Sequence, residues 1–225
     1  MENIIEKYLD FWLKIKAGRS TINCTYFSNK IRNGIVIIPG FMGGKGDFDD
    51  IRKELKKVIS INPSFRSKQD IVKLARKNRI GIDCSGFVYR FLAELVRLKY
   101  QNCEVLSLEQ VFPDGIYRTN ADKLTLGTHV IKINLFLQVR LGDLIRINNG
   151  RHVAVVVKNN NNMITYIHSS KMTKESGVHT GIIMVDDFNN NLKWRETTKN
   201  DINFGVKYFH PQNGDGIFRL KIFNP

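Results

Sequence analysis

The sequence has few cysteines and no long apolar run. Three cysteines in 225 residues exclude a disulfide-stapled scaffold, and the odd number leaves at least one thiol unpaired within the chain. No uninterrupted apolar stretch approaches the roughly 18 residues of a membrane-spanning helix. The first ten residues carry charges of both signs, whereas a secretory signal has a basic start followed by an apolar run. We therefore expect the chain as given to be soluble, either in the cytoplasm or exported by another route.

The chain also lacks a proline-rich or serine-rich linker, and 42% of its residues are apolar. This composition is typical of globular proteins, and the length corresponds to between one and one and a half domains. We expect one domain over residues 1–225, with a helical insertion at about residues 30–80, and a monomer that needs neither metal nor cofactor.

Acidic residues are scarce relative to basic ones, and the net charge is +14. Such a charge favours anionic partners, among them nucleic acid, acidic lipid surfaces and cell-wall polymers. The basic side chains are spread along the chain, and the densest group, at residues 52–57, is typical of a solvated helix face. No zinc-finger or helix-turn-helix spacing is present. We therefore do not expect nucleic acid to be the partner.

The hydrophobic pattern changes period along the chain. Apolar residues repeat at helical spacing in residues 3–15, after Asp47, after Ser67 and, most regularly, over residues 84–100. Beyond residue 140 the pattern has period two, and the predicted strands lie at residues 144–147, 153–157, 164–167, 181–185, 204–209 and 217–222. Helices followed by an antiparallel meander predict the α+β class.

A glycine-rich segment at residues 40–46 contains Lys45. It differs from a phosphate-binding loop because Gly46, rather than serine or threonine, follows the lysine. Its glycine content predicts a mobile loop, which would gate a neighbouring pocket.

Cys84 lies at the start of the most regular predicted helix. The positive end of the helix dipole favours a thiolate there, and the thiolate is the nucleophilic form of cysteine. Unpaired backbone amides of the first turn would also be available to an oxyanion. The alternative is an ordinary buried core cysteine. The position at a helix start beside Asp83 favours the nucleophile.

Two histidines lie on predicted neighbouring strands. His152 begins one strand and His168 ends the next, so an antiparallel hairpin would bring the two imidazoles together. On a sheet face packed against the Cys84 helix, His152 would act as the base and His168 would orient it. An exposed histidine at a strand end is the alternative interpretation for either residue.

A zinc site formed by Cys84, His152 and His168 is another interpretation of the same residues. Structural zinc usually binds paired cysteines a few residues apart, and no such pair is present. We therefore favour nucleophilic catalysis. The remaining histidines and cysteines have no motif around them and are expected to be ordinary structural or surface residues: His129, His179, His210, Cys24 and Cys103.

Together these motifs resemble the NlpC family of papain-like cysteine peptidases, which cut peptides of the bacterial cell wall. The segment Asp-Cys-Ser-Gly-Phe-Val at residues 83–88 matches the nucleophile motif of that family. Four further segments resemble family motifs and follow in the same order: Arg-Thr-Asn-Ala at 118–121, Gly-Asp-Leu-Ile at 142–145, His-Val-Ala-Val at 152–155 and Ile-His-Ser-Ser at 167–170. Gly177 matches the glycine that comes next.

The resemblance implies a papain-like fold, with the nucleophile helix packed on an antiparallel sheet. It implies that Cys84 is the nucleophile, His152 the general base and His168 the orienting residue. Asp83, Ser85 and Arg118 would line the pocket and hold the charged end of a peptidoglycan stem peptide. Family members also carry a tyrosine about a dozen residues before the cysteine. Here Tyr26 is the candidate replacement, which makes residues 30–80 an insertion.

Three functions from different classes agree with these residues. The first is a cysteine hydrolase, an endopeptidase or amidase, that acts on peptidoglycan or muropeptide. The second is an acyltransferase with the same fold and nucleophile. The third is a non-catalytic basic module that binds nucleic acid or wall polymer.

Overall fold

The first half of the chain is mainly helical, as the hydrophobic pattern predicts. A computed structural model describes residues 2–64, 67–100, 107–186 and 191–224. The long helices of this half are α1 (Glu2–Leu13), α2 (Phe48–Ser60), α3 (Lys68–Lys77) and α4 (Cys84–Lys99). Two small hairpins lie between α1 and α2, formed by β1 (Ile15–Ala17) with β2 (Ser20–Ile22) and by β3 (Lys30–Arg32) with β4 (Ile35–Ile38). None of the helices in the described ranges has the length and apolar character needed to cross a membrane.

The starts of α2 and α3 are set by the capping residues that the sequence predicts. The backbone N–H of Asp50 donates to Asp47 Oδ1 at 2.9 Å, and that of Asp70 donates to Ser67 Oγ at 3.1 Å. Each bond satisfies an amide that the helix itself leaves unpaired. The segment expected to be a helical insertion therefore holds both predicted helices, and it also holds the hairpin β3–β4.

The second half of the chain forms a seven-stranded antiparallel sheet with the strand order β10-β9-β8-β7-β6-β11-β5. Its strands are β5 (Val130–Ile133), β6 (Leu144–Ile147), β7 (His152–Asn160), β8 (Met163–Ser170), β9 (Gly177–Asp186), β10 (Asn191–Trp194) and β11 (Gly216–Leu220). Short helices precede and interrupt the sheet: α5 (Leu108–Val111), α6 (Gly115–Arg118), α7 (Ala121–Thr125) and α8 (Phe204–Tyr208). The α+β class is confirmed.

The strand predicted at residues 204–209 is wrong, because residues 204–208 form α8. The Asn203 side chain caps this helix by accepting the backbone N–H of Val206 at 3.1 Å. Gly205 lies against the Trp194 ring, where even a single Cβ atom would clash. A short helix thus buries Phe204 and brings the backbone close to the indole, which an extended strand at this position would not do.

Helix α4 packs on one face of the sheet, against β7 and β8. Alternate residues of β7 belong to separate cores. Val153 and Val155 pack in the core that contains α4, whereas Ala154 and Val156 pack with Tyr166 on the opposite face. The predicted contact between the Cys84 helix and two neighbouring histidine-bearing strands is confirmed.

Candidate active site

The start of α4 is fixed by contacts on both sides of Cys84. The backbone N–H of Ile82 donates to the Thr25 carbonyl at 3.0 Å, and that of Asp83 donates to the Gly44 carbonyl at 2.9 Å. Asp83 then caps the helix, since its Oδ1 accepts the Gly86 N–H at 2.7 Å. Cys84 is therefore held as the first residue of a long helix, as the sequence predicts.

The Cys84 thiol is almost buried, with 8% of the residue exposed. Burial and then the Asp83 carboxylate raise its pKa to about 12, although Lys45 and the backbone amides of Val153 and Ser85 act in the opposite direction. Desolvation therefore outweighs the helix dipole, which alone would favour a thiolate. The electrostatics differ from the sequence expectation and favour a neutral thiol in the resting protein.

His152 and His168 lie together, as the hairpin predicts. His152 Nε2 is 2.8 Å from His168 Nδ1, and both rings are buried. Both rings also make edge contacts with Phe204, with centroids 6.2 and 5.7 Å away. Apolar packing around the pair keeps water from competing for this hydrogen bond.

Burial lowers the pKa of both imidazoles. The pKa of His152 is well below its ordinary value because of desolvation and then the neighbouring His168, while Glu196 opposes the shift. Desolvation also lowers the pKa of His168, again against the field of Glu196. At neutral pH both rings are therefore uncharged.

The approach of His152 to Cys84 differs from the expectation. The two imidazoles lie on the sheet face that carries Phe204, whereas α4 packs on the other face. The alternation of β7 is the reason, because His152 shares the face of Ala154 and not that of Val153. The Cys84 sulfur instead accepts a hydrogen bond from the backbone N–H of Val153, the residue after His152 at the start of β7. Among the described residues, no hydrogen bond of the thiol to either imidazole is present.

The histidine pair extends into a larger buried cluster that the sequence analysis missed. Glu196 Oε1 lies 3.1 Å from His168 Nε2 and 2.6 Å from His179 Nε2, and its Oε2 accepts the Tyr166 hydroxyl. Burial alone would raise the pKa of Glu196, but the two histidines, with His168 making the larger contribution, hold it well below its ordinary value. His179, expected to be ordinary, pairs directly with His168 in the β8–β9 register.

The same cluster is the one group in the described ranges whose residue types would suit a metal ion. His168, His179 and Glu196 offer ligand atoms close to one another. Their separations are 2.6, 3.0 and 3.1 Å. Ligands of tetrahedral zinc at ~2.05 Å from the metal lie about 3.3 Å apart. The distances thus favour hydrogen bonds. Cys84 and His152, expected as zinc ligands in the alternative interpretation, lie outside this group.

A pocket of about 540 Å³ opens at the start of α4. It is lined by three of the predicted binding residues, Tyr26, Asp83 and Ser85, together with Cys84, and its rim includes Asn149 and Arg151 from the turn before β7. Tyr26 thus lies on the same pocket as the cysteine, as its proposed equivalence to the family tyrosine requires. Arg118 is exposed at the end of α6 and is not among the lining residues.

The turn between β6 and β7 shapes this rim. Asn148, Asn149 and Gly150 all adopt positive φ, at 57°, 56° and 76°. Asparagine and glycine tolerate this backbone region better than other residues do. The Asn-Gly signal in the sequence therefore places His152 just after a tight turn whose residues line the pocket, although the buried His152 is not itself among the lining residues.

The glycine-rich loop is packed rather than open, which argues against a gating role. Gly44, Lys45 and Gly46 are buried, and Lys45 Nζ contacts Asp83 Oδ1 at 3.0 Å, Ser85 Oγ and the Thr119 carbonyl. The glycines permit a close approach, since a Cβ on Gly86 would lie 2.7 Å from the Gly44 carbonyl oxygen. In the sequence, the glycines on either side of Lys45 are the feature that could have indicated its buried position beside the start of α4.

Comparisons of the chain with protein-family models, with curated proteins and with solved structures found no match.

Proposed function

We propose that this protein is a cysteine hydrolase with an NlpC-type, papain-like arrangement of Cys84, His152 and His168. The observation that supports it best is the buried 2.8 Å hydrogen bond between His152 and His168. This pair lies next to the backbone amide of Val153, which donates to the Cys84 sulfur. A base backed by a second ring and shielded by an aromatic side chain is suited to activating a nucleophile. The motif order at residues 83–88, 152–155 and 167–170 gives the same assignment.

The neutral state of both groups determines the proposed chemistry. In the resting structure the thiol makes no hydrogen bond to His152, so the proposal requires the two side chains to approach each other when substrate binds. As the Cys84 sulfur then attacks a substrate carbonyl carbon, the thiol proton passes to His152, and a carbon–sulfur bond forms. His152 then gives this proton to the departing amine as the carbon–nitrogen bond breaks, which leaves a thioester on Cys84. Water, deprotonated by His152, cleaves the thioester and restores the thiol. Transfer of the proton during attack avoids a buried ion pair in the resting protein.

The proposed substrate is a peptide bond in a peptidoglycan stem peptide. The pocket lining is polar and includes carboxylate, hydroxyl and amide groups, which suits an extended peptide with charged ends. The described contacts of Asp83 with Lys45, Ser85 and Gly86 all involve Oδ1. We assign Asp83 Oδ2 and Ser85 to the charged end of the peptide. The net charge of +14 would favour encounter with an anionic wall fragment.

Incubation with purified muropeptides, followed by mass spectrometry, tests this function. The unaltered protein should give two fragments separated next to the γ-linked glutamate, and Cys84→Ala should give none. Cys24→Ala is the matched control, because Cys24 is a buried thiol outside the pocket and its loss should leave cleavage unchanged. Full cleavage by Cys84→Ala would contradict the proposal and favour the binding-module alternative.

A further inference from the structure

The buried cluster behind His152 contains more groups than a nucleophile, a base and an orienting residue require. Glu196 contacts His168, His179 and Tyr166, and all three partners are buried. His179 Nδ1 also lies 2.8 Å from the Gly177 carbonyl oxygen. Each of these contacts limits where protons can reside on the rings, because carbonyl and carboxylate oxygens only accept hydrogen bonds.

The proton positions can be worked out from the Glu196 end. Glu196 is a carboxylate, so a ring nitrogen that hydrogen-bonds to its Oε1 must donate. The Nε2 atoms of His168 and His179 both face Oε1 and lie 3.0 Å apart, and His179 Nδ1 faces the Gly177 carbonyl.

His168 donates from Nε2 to Glu196, and as a neutral ring it carries no proton on Nδ1. That bare nitrogen lies 2.8 Å from His152 Nε2, so His152 must be the donor of this bond. The neutral His152 ring then has its free lone pair on Nδ1. With the opposite tautomers, an unprotonated His168 Nε2 would face the carboxylate, which is repulsive in a buried site.

We propose that Glu196 is a positioning residue that acts through His168 and fixes His152 in the tautomer whose Nδ1 is free to accept a proton. His179 Nε2 contacts the same carboxylate oxygen as His168, and the Tyr166 hydroxyl donates to the second oxygen. This inference rests on the proposed function in one respect, that the proton accepted by Nδ1 comes from Cys84. The tautomers themselves do not depend on any activity.

Nitrogen NMR of protein labelled with [¹⁵N]histidine tests the tautomers directly, since protonated and bare ring nitrogens have well-separated shifts. At neutral pH, His152 and His168 should each show a bare Nδ1 and a protonated Nε2. In Glu196→Gln, whose side-chain amide can donate as well as accept, these single tautomers should give way to mixtures. A protonated Nδ1 on His152 in the unaltered protein would overturn the proposal.

The pH profile of turnover is the second test. Glu196 raises the pKa of His152, so Glu196→Gln should move the acid limb of kcat/KM to lower pH. It should also reduce kcat, by up to about 10⁴-fold as when a triad histidine is left in the wrong tautomer, with little change in KM. The groups that face the thiol from other elements, Lys45 and Tyr26, are unchanged in this variant, as is Asp83.

Glu175→Gln is the matched control. Glu175 is an exposed carboxylate that acts on His168 through its charge but makes no hydrogen bond with the ring. It should leave the acid limb and kcat unchanged. An unmoved acid limb in a folded Glu196→Gln protein would overturn the positioning role.

The two proposals fail in different ways. Turnover that survives in Cys84→Ala removes the proposed function and leaves the NMR result standing. One equivalent of zinc in the purified protein, lost in Glu196→Gln, would overturn the tautomer assignment, because the Nε2 atoms would then be metal ligands rather than donors.

Discussion

Lys45 and Asp83 form a buried ion pair directly below the first turn of the helix that carries Cys84. The Nζ–Oδ1 distance is 3.0 Å, and 8% and 14% of the two side chains are exposed. The pair joins the glycine-rich loop to the helix cap, and Lys45 also lowers the pKa of the Cys84 thiol. The loop therefore contributes to the position and the charge environment of the nucleophile.

Lys45→Met should destabilise the protein by about 3–5 kcal/mol, because it leaves the Asp83 carboxylate buried without its partner. Urea unfolding measures this change. Lys14→Met is the matched control, since it breaks an exposed lysine–aspartate pair and should change stability by less than about 1 kcal/mol. Equal effects of the two substitutions would contradict the structural role of Lys45.

Substitutions in the proposed catalytic residues should follow a fixed order. Cys84→Ala should abolish turnover, and His152→Ala should cost nearly as much, because members of a catalytic unit are not additive. His168→Asn should be milder, since an amide can still accept the His152 Nε2–H. Turnover of one muropeptide by the three variants at one pH measures the order. A larger loss in His168→Asn than in His152→Ala would reverse the assigned roles.

Stability should fall below about pH 6.5, the ordinary pKa of histidine. The pKa values of His152 and His168 are lowered by folding, so the unfolded chain binds more protons in this range. The contribution of the two neutral rings to the free energy of unfolding is therefore complete above that pH. It is lost as the pH falls, by up to about 1.4 kcal/mol per pH unit for each ring. The lowered pKa of Glu196 adds a loss in the same direction at more acidic pH.

Urea unfolding at pH 7.5 and 5.5 measures this slope. His168→Asn should reduce it, because one of the two buried rings is removed. A slope unchanged in that variant would show that the loss of stability comes from other groups.

Arg219→Met should destabilise the sheet by about 3–5 kcal/mol. Arg219 contacts both oxygens of the buried Asp143 carboxylate, at 2.7 and 2.8 Å, and so joins β11 to the start of β6. Thermal and urea unfolding measure the loss. Arg97→Met, which breaks an exposed pair with Glu94, is the control and should cost less than about 1 kcal/mol.

The histidine pair could be predicted because its cause is local. Period-two runs and asparagine-rich turns fix the β7–β8 pairing, and pairing brings His152 to His168. His179 was within reach of the same argument, since it pairs with His168 in the register of β8 and β9. The predicted strand at residues 181–185 began too late to include it.

Glu196 and Lys45 could not be predicted, because their positions depend on contacts between distant parts of the chain. Glu196 follows the edge strand β10 and reaches His168 across 28 positions. Lys45 reaches the Thr119 carbonyl across 74 positions. The sheet face of the imidazoles and the burial of the thiol are also tertiary properties, which a helix start and a strand pattern do not determine.

The position of β11 in the sheet has a consequence for how the protein is made. This strand leaves the ribosome after the other six strands of the described sheet, yet it lies between β6 and β5. Until it arrives, β6 has an unpaired edge, and Asp143 lacks the arginine that neutralises it. A nascent chain that already contains Cys84, His152 and His168 thus has an incomplete sheet behind them, and the site cannot be finished until β11 has been synthesised.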